Sequence, residues 1–224
     1  MSNEPLPAPR AILFDLDGTL ADTAPDLAGA LNKVREDRGL APTPYALLRP
    51  VASAGARGLI GASFGILPTD PAYPPLRDAF LANYTAAIAA RSTLFDGVPA
   101  LLAGLRARGI GWGIVTNKAT VLAELLIPQI GLAHAGCIVC GDTTAHPKPH
   151  PAPLFEAARR LGVPAQDCWY VGDDARDIEA GRAAGMVAVA AAWGYCGTEG
   201  VSGWNADIIA DTPLAILPLL ASAS

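Results

Sequence analysis

Asp15 and Asp17 stand one residue apart directly after the apolar run Ala11-Ile12-Leu13-Phe14, and Gly18-Thr19 completes the motif. A turn after Asp15, made tight by Gly18, sends both carboxylates toward one reactant. An aspartate can take a phosphoryl group covalently, while a second carboxyl group protonates the departing oxygen and later takes a proton from water. Asp15 is therefore the expected nucleophile and Asp17 the expected general acid and base. Phosphoryl oxygens also need positive charge and hydrogen-bond donors around them. The chain has three lysines, Lys33, Lys118 and Lys148. Lys148 lies in His146-Pro147-Lys148-Pro149, where the flanking prolines restrict the backbone. Thr116, Asn117 and Lys118 follow another apolar run, and with Lys148 they are expected to cradle the phosphoryl group.

A third acidic cluster, Gly172-Asp173-Asp174-Ala175-Arg176-Asp177, ends a further apolar run. With Asp15 it offers the hard oxygen ligands that Mg²⁺ favours. The expected ligands are Asp15, Asp173 and the backbone carbonyl of Asp17, with Asp174 and Asp177 holding waters or orienting Lys148 and the loop. A cation is needed because phosphate beside several carboxylates is otherwise repelled. Each piece alone has a plainer reading: Asp-x-Asp as a solvated turn, Thr-Asn as a helix cap, Asp173-Asp174 as an acidic cap. Their succession at the ends of buried runs favours chemistry.

The elements that must bring them together are short strands alternating with helices. Beside 11–14, strands are expected at Gly111-Trp112-Gly113-Ile114-Val115, Cys137-Ile138-Val139-Cys140, Trp169-Tyr170-Val171 and Met186-Val187-Ala188-Val189-Ala190. A late one is expected at Asp207-Ile208-Ile209-Ala210. Helices are expected over 98–108, 120–130, 152–161 and 175–184, closed by Gly109, Gly131, Gly162 and Gly185, with a final helix over 213–220. This grammar predicts an α/β fold, a Rossmann-like, mostly parallel sheet covered by helices on both faces, whose carboxyl edge gathers Asp15, Thr116 and Asp173. Residues 22–92 interrupt the alternation without a convincing strand. They read as an inserted helical cap, with Leu27, Leu31 and Val34 on one face and Phe80, Tyr84 and Ile88 on another. The core is expected over 1–21 and 93–224.

Composition narrows the partners. In 224 residues, 51% are hydrophobic and 17% charged, which excludes disorder, and the formal charge of -5 sets a repulsive mean field against nucleic acid or an anionic membrane. No nucleic-acid motif is present, and the expected partner is a small phosphorylated acid or sugar, with the chain a monomer or homodimer. Residues 1–10 lack the pattern of a signal peptide, so a cytoplasmic location is expected. Cys137 and Cys140 would point to opposite faces of one strand, an arrangement of buried thiols rather than a zinc site. The three histidines have no metal-ligand spacing. Trp193-Gly194-Tyr195 follows a strand and either borders the pocket or packs.

Taken in order, Asp15-Leu16-Asp17-Gly18-Thr19, Thr116-Asn117, Lys148 and Gly172-Asp173-Asp174 with Asp177 resemble the four motifs of the haloacid dehalogenase-like hydrolases. The resemblance extends over essentially the whole chain and is closer to the phosphoglycolate phosphatase branch. It implies a helical cap that closes over the Asp15 loop and opens to release product. Asp17 favours phosphate ester hydrolysis over halide removal, and the placement of Lys33, the one cap lysine, argues against a phosphonate-cleaving Schiff base. A sugar phosphomutase and a passive phosphate-accepting signalling module are lesser alternatives. Substrate choice is expected from Ser53-Ala54-Gly55-Ala56-Arg57-Gly58. There Ser53 and Gly55 line the turn and Arg57 either pairs with a substrate carboxylate or faces solvent. The branch commonly has glycine where Ser53 stands. That loop and Gly203-Trp204-Asn205-Ala206-Asp207 are also similar to N-acetylmuramic acid 6-phosphate phosphatases. The expected activity is Mg²⁺-dependent hydrolysis of 2-phosphoglycolate, with N-acetylmuramic acid 6-phosphate as the alternative.

Overall fold

The first strand, β1 (Ala11–Phe14), is wholly buried and pairs in parallel on both sides, so its apolar run has no polar face to show. A computed structural model describes residues 7–220. After β1 the chain makes β2 (Ala21–Asp22) and enters the helical insertion: α1 (Ala24–Glu36), α2 (Tyr45–Leu48), a 3₁₀ turn (Arg49–Ala54), α3 (Gly55–Phe64) and α4 (Tyr73–Ala86). It returns through β3 (Thr93–Leu94) and then alternates α5 (Val98–Ala107), β4 (Gly111–Val115), α6 (Thr120–Gln129), β5 (Ile138–Val139), α7 (Ala152–Leu161), β6 (Cys168–Gly172), α8 (Ala175–Ala183) and β7 (Val187–Ala191). Strand β8 (Ile208–Ala210) and α9 (Ile216–Leu219) close it.

Six strands form one parallel sheet in the order β5-β4-β1-β6-β7-β8. Phe14 is opposite Ile114 on one side and Val171 on the other. That register brings the residues just beyond three central strands, Asp15, Thr116 and Asp173, to one edge. Alternating side chains then divide the core: Ile12, Phe14 and Trp169 join the cluster that continues into the insertion, while Ala11, Leu13 and Tyr170 pack against α7 and α8. Cys137 and Cys140 fall into different clusters, on opposite faces, and both are free thiols.

In the insertion, α1 lies against α4. Leu27, Leu31 and Val34 meet Phe80 and Tyr84, whose rings stack with centroids 6.2 Å apart. Each such side chain, fully buried, contributes about 1.5–3 kcal/mol. Asp26 fixes the return: its carboxylate accepts the Arg91 and Ser92 N–H groups and the Ser92 hydroxyl.

Three local features differ from expectation. The two connections to the insertion pair as a short antiparallel ribbon, Ala21 with Leu94 and Asp22 with Thr93. At two residues per strand, hydrophobic alternation has no length in which to appear. Strand β5 is shorter than the run 137–140, and it sits at the sheet edge with one paired side. The segment 213–220 begins as a 3₁₀ turn, Pro213–Ala215, before α9. Among the described residues, no helix is long and apolar enough to cross a membrane.

Candidate active site

At the sheet's carboxyl edge, Asp15 is 6% exposed, Asp173 1% and Asp177 1%, and one carboxylate oxygen from each lies within 4.8 Å of the others. Three buried carboxylates so close repel one another. Burial raises the Asp15 pKa to about 7 against the opposing pull of Lys148, and burial with Asp15 and Asp177 raises that of Asp173 well above its ordinary value.

Lys148 is the compensating charge. Its Nζ is 2.9 Å from Asp15 Oδ1, and it donates to Val115 O at 3.0 Å, Tyr170 Oη at 2.7 Å and Asp177 Oδ1 at 2.7 Å. An ammonium has three hydrogens, and four oxygens within 3.0 Å compete for them, Asp15 Oδ1 with the poorest alignment. Asp15 Oδ1 thus receives Lys148's charge but makes no hydrogen bond among the described residues, although it is buried. Burial works against the Lys148 charge, yet Asp15 and Asp177 outweigh it and hold its pKa above the ordinary value.

This orphaned oxygen fits a cation. Asp173 stands across from it, its carboxylate set by Thr19 Oγ1 at 2.9 Å, Tyr195 N at 3.0 Å and Ser53 Oγ at 2.9 Å. Glycines make the room: a Cβ on Gly18, whose φ is +89°, would lie 2.1 Å from Asp173 Oδ2, and one on Gly194 would lie 2.3 Å from Asp173 Cβ. Asp15, Asp173 and the Asp17 carbonyl are hard oxygen donors suited to Mg²⁺. Asp177 is part of the same triad, but Lys148 and Tyr170 occupy its Oδ1 and the Asp174 N–H occupies its Oδ2. It orients Lys148, as one of the two sequence readings had it. Asp174 caps α8 and pairs with Arg176, whose Nη2 reaches Ser53 O at 3.0 Å, so it orders the loop.

Asp17 is held at both oxygens. Thr23 Oγ1 donates to Oδ1 at 2.5 Å and Lys118 Nζ lies 3.0 Å from Oδ2. Thr23 stands at the entry to α1, where Tyr195 Oη accepts the Thr23 and Ala24 N–H groups at 2.8 Å each and donates to Asp22 at 3.0 Å. The entry to the insertion is thereby tied to the proposed acid. Thr116 Oγ1 accepts the Lys118 N–H at 3.1 Å, which leaves its own hydrogen to donate.

The insertion closes these groups into a cavity of about 220 Å³ lined by Asp15, Asp17, Thr116, Asn117, Lys118 and Lys148 from the sheet and by Ser53, Gly55 and Tyr84 from above. Several sequence-based assignments change in detail. Asn117 was expected to offer its amide to phosphoryl oxygens. Both ends of that amide instead clasp the Lys148 backbone, Nδ2 to O at 2.9 Å and Oδ1 from N at 3.0 Å, so it positions the lysine. Lys118 pairs with Asp17. Ser53 reaches Asp173 with its hydroxyl. Arg57 is exposed on α3 and outside the cavity lining, unlike Gly55 and Ala56 of the same turn, in agreement with the solvent-facing alternative. Lys33 is also exposed, pairing with Asp37.

Tyr84, Tyr170, Thr23 and Arg176 belong to the site without having been assigned to it, and Tyr195, expected either to border the pocket or to pack, holds Asp173 and Thr23. Arg176 lies inside the quoted acidic run and Tyr195 follows a strand at the active edge, so position gave a signal for both. Tyr84 carried only the signature of a core residue.

The sequence profile described as haloacid dehalogenase-like hydrolase matches residues 9–185. Over 207 residues the chain is 47% identical to a phosphoglycolate phosphatase of Xanthomonas campestris pv. campestris (strain 8004), covering 92% of this chain and 93% of that one. Over 213 residues it is 40% identical to an N-acetylmuramic acid 6-phosphate phosphatase of Pseudomonas aeruginosa, covering 94% of each. Among solved structures, a predicted phosphoglycolate phosphatase from Haemophilus somnus 129PT superimposes with a TM-score of 0.81 at 26% identity, covering 94% of this chain and 97% of that one. With a buried Asp15 beside Lys148, an oxygen-rich cation site and Asp17 over the same cavity, the chain has the apparatus of a Mg²⁺-dependent phosphatase working through an aspartyl-phosphate on a small substrate. On its motifs, its fold and its relatives alike, it belongs to the haloacid dehalogenase-like hydrolases.

Proposed function

We propose that the protein hydrolyses a small carboxylate-bearing phosphate monoester, with 2-phosphoglycolate the favoured substrate. The observation that carries this reading is the Asp15 carboxylate: buried at the sheet edge, 2.9 Å from Lys148 Nζ, and within 4.8 Å of the Asp173 and Asp177 carboxylates. A carboxylate so placed is held by charge, with one oxygen available to a cation and the other to form a bond to phosphorus. Mg²⁺ at Asp15, Asp173 and the Asp17 carbonyl would neutralise phosphoryl charge and admit the dianion to an acidic cavity.

Asp15 attacks phosphorus, and the bond to the ester oxygen breaks as Asp17 gives that oxygen a proton. The aspartyl-phosphate is then hydrolysed by a water from which Asp17 takes a proton, regenerating both residues. Thr116 Oγ donates to a phosphoryl oxygen, and Asn117 keeps Lys148 in register. Thr23 and Lys118 fix the Asp17 carboxylate. The cavity, about 220 Å³, has room for a two-carbon acid ester between the sheet edge and the insertion.

A second reading, N-acetylmuramic acid 6-phosphate, is favoured by the 40% identity with the Pseudomonas aeruginosa protein over nearly the full length of both chains. Measuring kcat/KM for both esters with and without Mg²⁺ distinguishes them. A large advantage for 2-phosphoglycolate, lost in Asp15→Asn and on chelation, is the expected result. An advantage of the sugar ester by tenfold or more would transfer the assignment. Metal-independent turnover would overturn the cation site.

A further inference from the structure

We infer that Lys118 and Tyr84, one from the sheet edge and one from the inserted helices, together bind the carboxylate of a substrate that carries it on the same carbon as the ester oxygen. The inference rests on the phosphatase reading and narrows its substrate.

Few of the cations near the cavity have hydrogens to spare for a ligand. Lys148 has none: Asp15 Oδ1, Val115 O, Tyr170 Oη and Asp177 Oδ1 already share its three. Arg176 also lines the cavity, but three of its five N–H groups tie it to Asp174 and Ser53 O at the start of α8, so what it has to spare is held at that loop. Arg57 is exposed and outside the lining. Lys118, with a side chain only 6% exposed, makes one ionic contact, to Asp17 Oδ2 at 3.0 Å, and lies 4.8 Å from the Tyr84 ring centroid, close enough to the Tyr84 hydroxyl to act on it, so one of its three hydrogens stays open. Such a cation over a ring gains from the π face while its remaining N–H group stays open to an anion.

Tyr84 supplies the second observation. It is 1% exposed, it lines the cavity, and although the Lys118 ammonium approaches its hydroxyl oxygen, its own O–H finds no acceptor among the described residues. Burying an O–H without an acceptor costs about 1–3 kcal/mol, a cost removed when a ligand oxygen arrives. Tyr84 lies on α4, whereas Lys118 follows β4. An anion between them would join the insertion to the sheet directly, so binding and closure reinforce each other.

Position within the substrate follows from Asp17. To protonate the ester oxygen, Asp17 must touch it, and Lys118 touches Asp17. A carboxylate one carbon from the ester oxygen therefore falls beside Lys118. The lactyl carboxylate of N-acetylmuramic acid 6-phosphate lies across a sugar ring from its ester oxygen, so it cannot occupy the same place. The site selects 2-phospho carboxylates and disfavours sugar acids.

The test measures binding without turnover. In an Asp15→Asn background with Mg²⁺, calorimetry compares 2-phosphoglycolate with ethyl phosphate, which lacks only the acid group. The expected result is tighter binding of 2-phosphoglycolate by at least tenfold. Adding Tyr84→Phe is expected to cut that preference about tenfold while leaving ethyl phosphate within twofold, as for one charged hydrogen bond. Lys118→Met should remove what preference remains. The inference is overturned if Tyr84→Phe weakens both ligands equally, if it weakens neither, or if it weakens N-acetylmuramic acid 6-phosphate instead. Should the native enzyme turn over no phosphate ester, the phosphatase reading fails while the binding preference still decides the site.

Discussion

Ser53, in the inserted helices, donates its hydroxyl to Asp173 Oδ2 at 2.9 Å, while its carbonyl accepts from Arg176 at 3.0 Å. One residue thus fastens the insertion to the acidic edge through both its side chain and its backbone, and the side-chain contact ends on an expected metal ligand. A hydrogen bond to a charged acceptor at a partly exposed position contributes about 1 kcal/mol, or roughly fivefold in an opening equilibrium. Ser53→Ala should therefore raise hydrogen exchange across 49–64 by about fivefold, with the thermal midpoint nearly unchanged. Unchanged exchange in that segment would show that Ser53 does not act as a fastening.

Asp177→Asn tests the support of Lys148. The substitution keeps the shape but removes a negative charge 2.7 Å from the ammonium and weakens the reciprocal cap at the start of α8. Lys148 then turns toward Asp15, its remaining carboxylate, and a phosphoryl group loses part of the lysine's field. We expect kcat to fall on the order of a hundredfold, with KM changing less and about 2 kcal/mol of stability lost. Steady-state kinetics and urea denaturation measure the two effects. Equal losses in kcat and in 1/KM would place Asp177 in ground-state binding instead.

Much of this arrangement was legible because the strands are short, buried and end in polar residues. Asp15, Thr116 and Asp173 could be brought together from sequence since parallel strands fix which ends meet, and the register of Phe14 with Ile114 and Val171 bears this out. What could not be read was how each polar hydrogen is spent. Asn117 looks like a phosphate ligand until its amide is seen to clasp the Lys148 backbone, and Arg57 looks like an anion reader until its helix turns it to solvent. The ribbon of β2 with β3 was invisible because two residues carry no periodicity. Tyr84 follows the helical spacing of Phe80 and Ile88, so its sequence signature is that of packing; only its O–H without an acceptor among the described residues distinguishes it.

The acidic edge gives the metal-free protein an inverted dependence on pH. Asp15 ionises near pH 7 when folded and near 3.8 when unfolded, so its proton is held more tightly in the folded state. Stability from this group is greatest below pH 3.8 and is lost as pH rises through about 7; Asp173, shifted the same way, extends the loss upward. The Asp15 contribution is on the order of 4 kcal/mol at most. With a chelator, the thermal midpoint should fall by several degrees between pH 5 and 8, and Mg²⁺ should flatten that slope by favouring the ionised forms. A midpoint that rises over this range in chelator would contradict the account.

Two tyrosines provide a matched comparison. Tyr195 Oη accepts two backbone N–H groups at the entry to α1 and donates to Asp22, whereas the Tyr84 O–H finds no acceptor among the described residues. Removing the first hydroxyl orphans two buried donors, each costing about 1–3 kcal/mol; removing the second orphans no backbone group and leaves Lys118 its ion pair with Asp17. Tyr195→Phe should therefore lose about 2–4 kcal/mol in urea unfolding, and Tyr84→Phe should be neutral or slightly more stable. The hinge defect should reach chemistry too, because Thr23, whose N–H Tyr195 holds, also donates to Asp17. Tyr195→Phe is then expected to lower kcat by roughly tenfold, a loss that Tyr84→Phe does not share on an ester without a carboxylate. Equal destabilisation by the two substitutions would mean that the Tyr84 hydroxyl already has a protein acceptor, and would remove the basis for assigning it to a ligand.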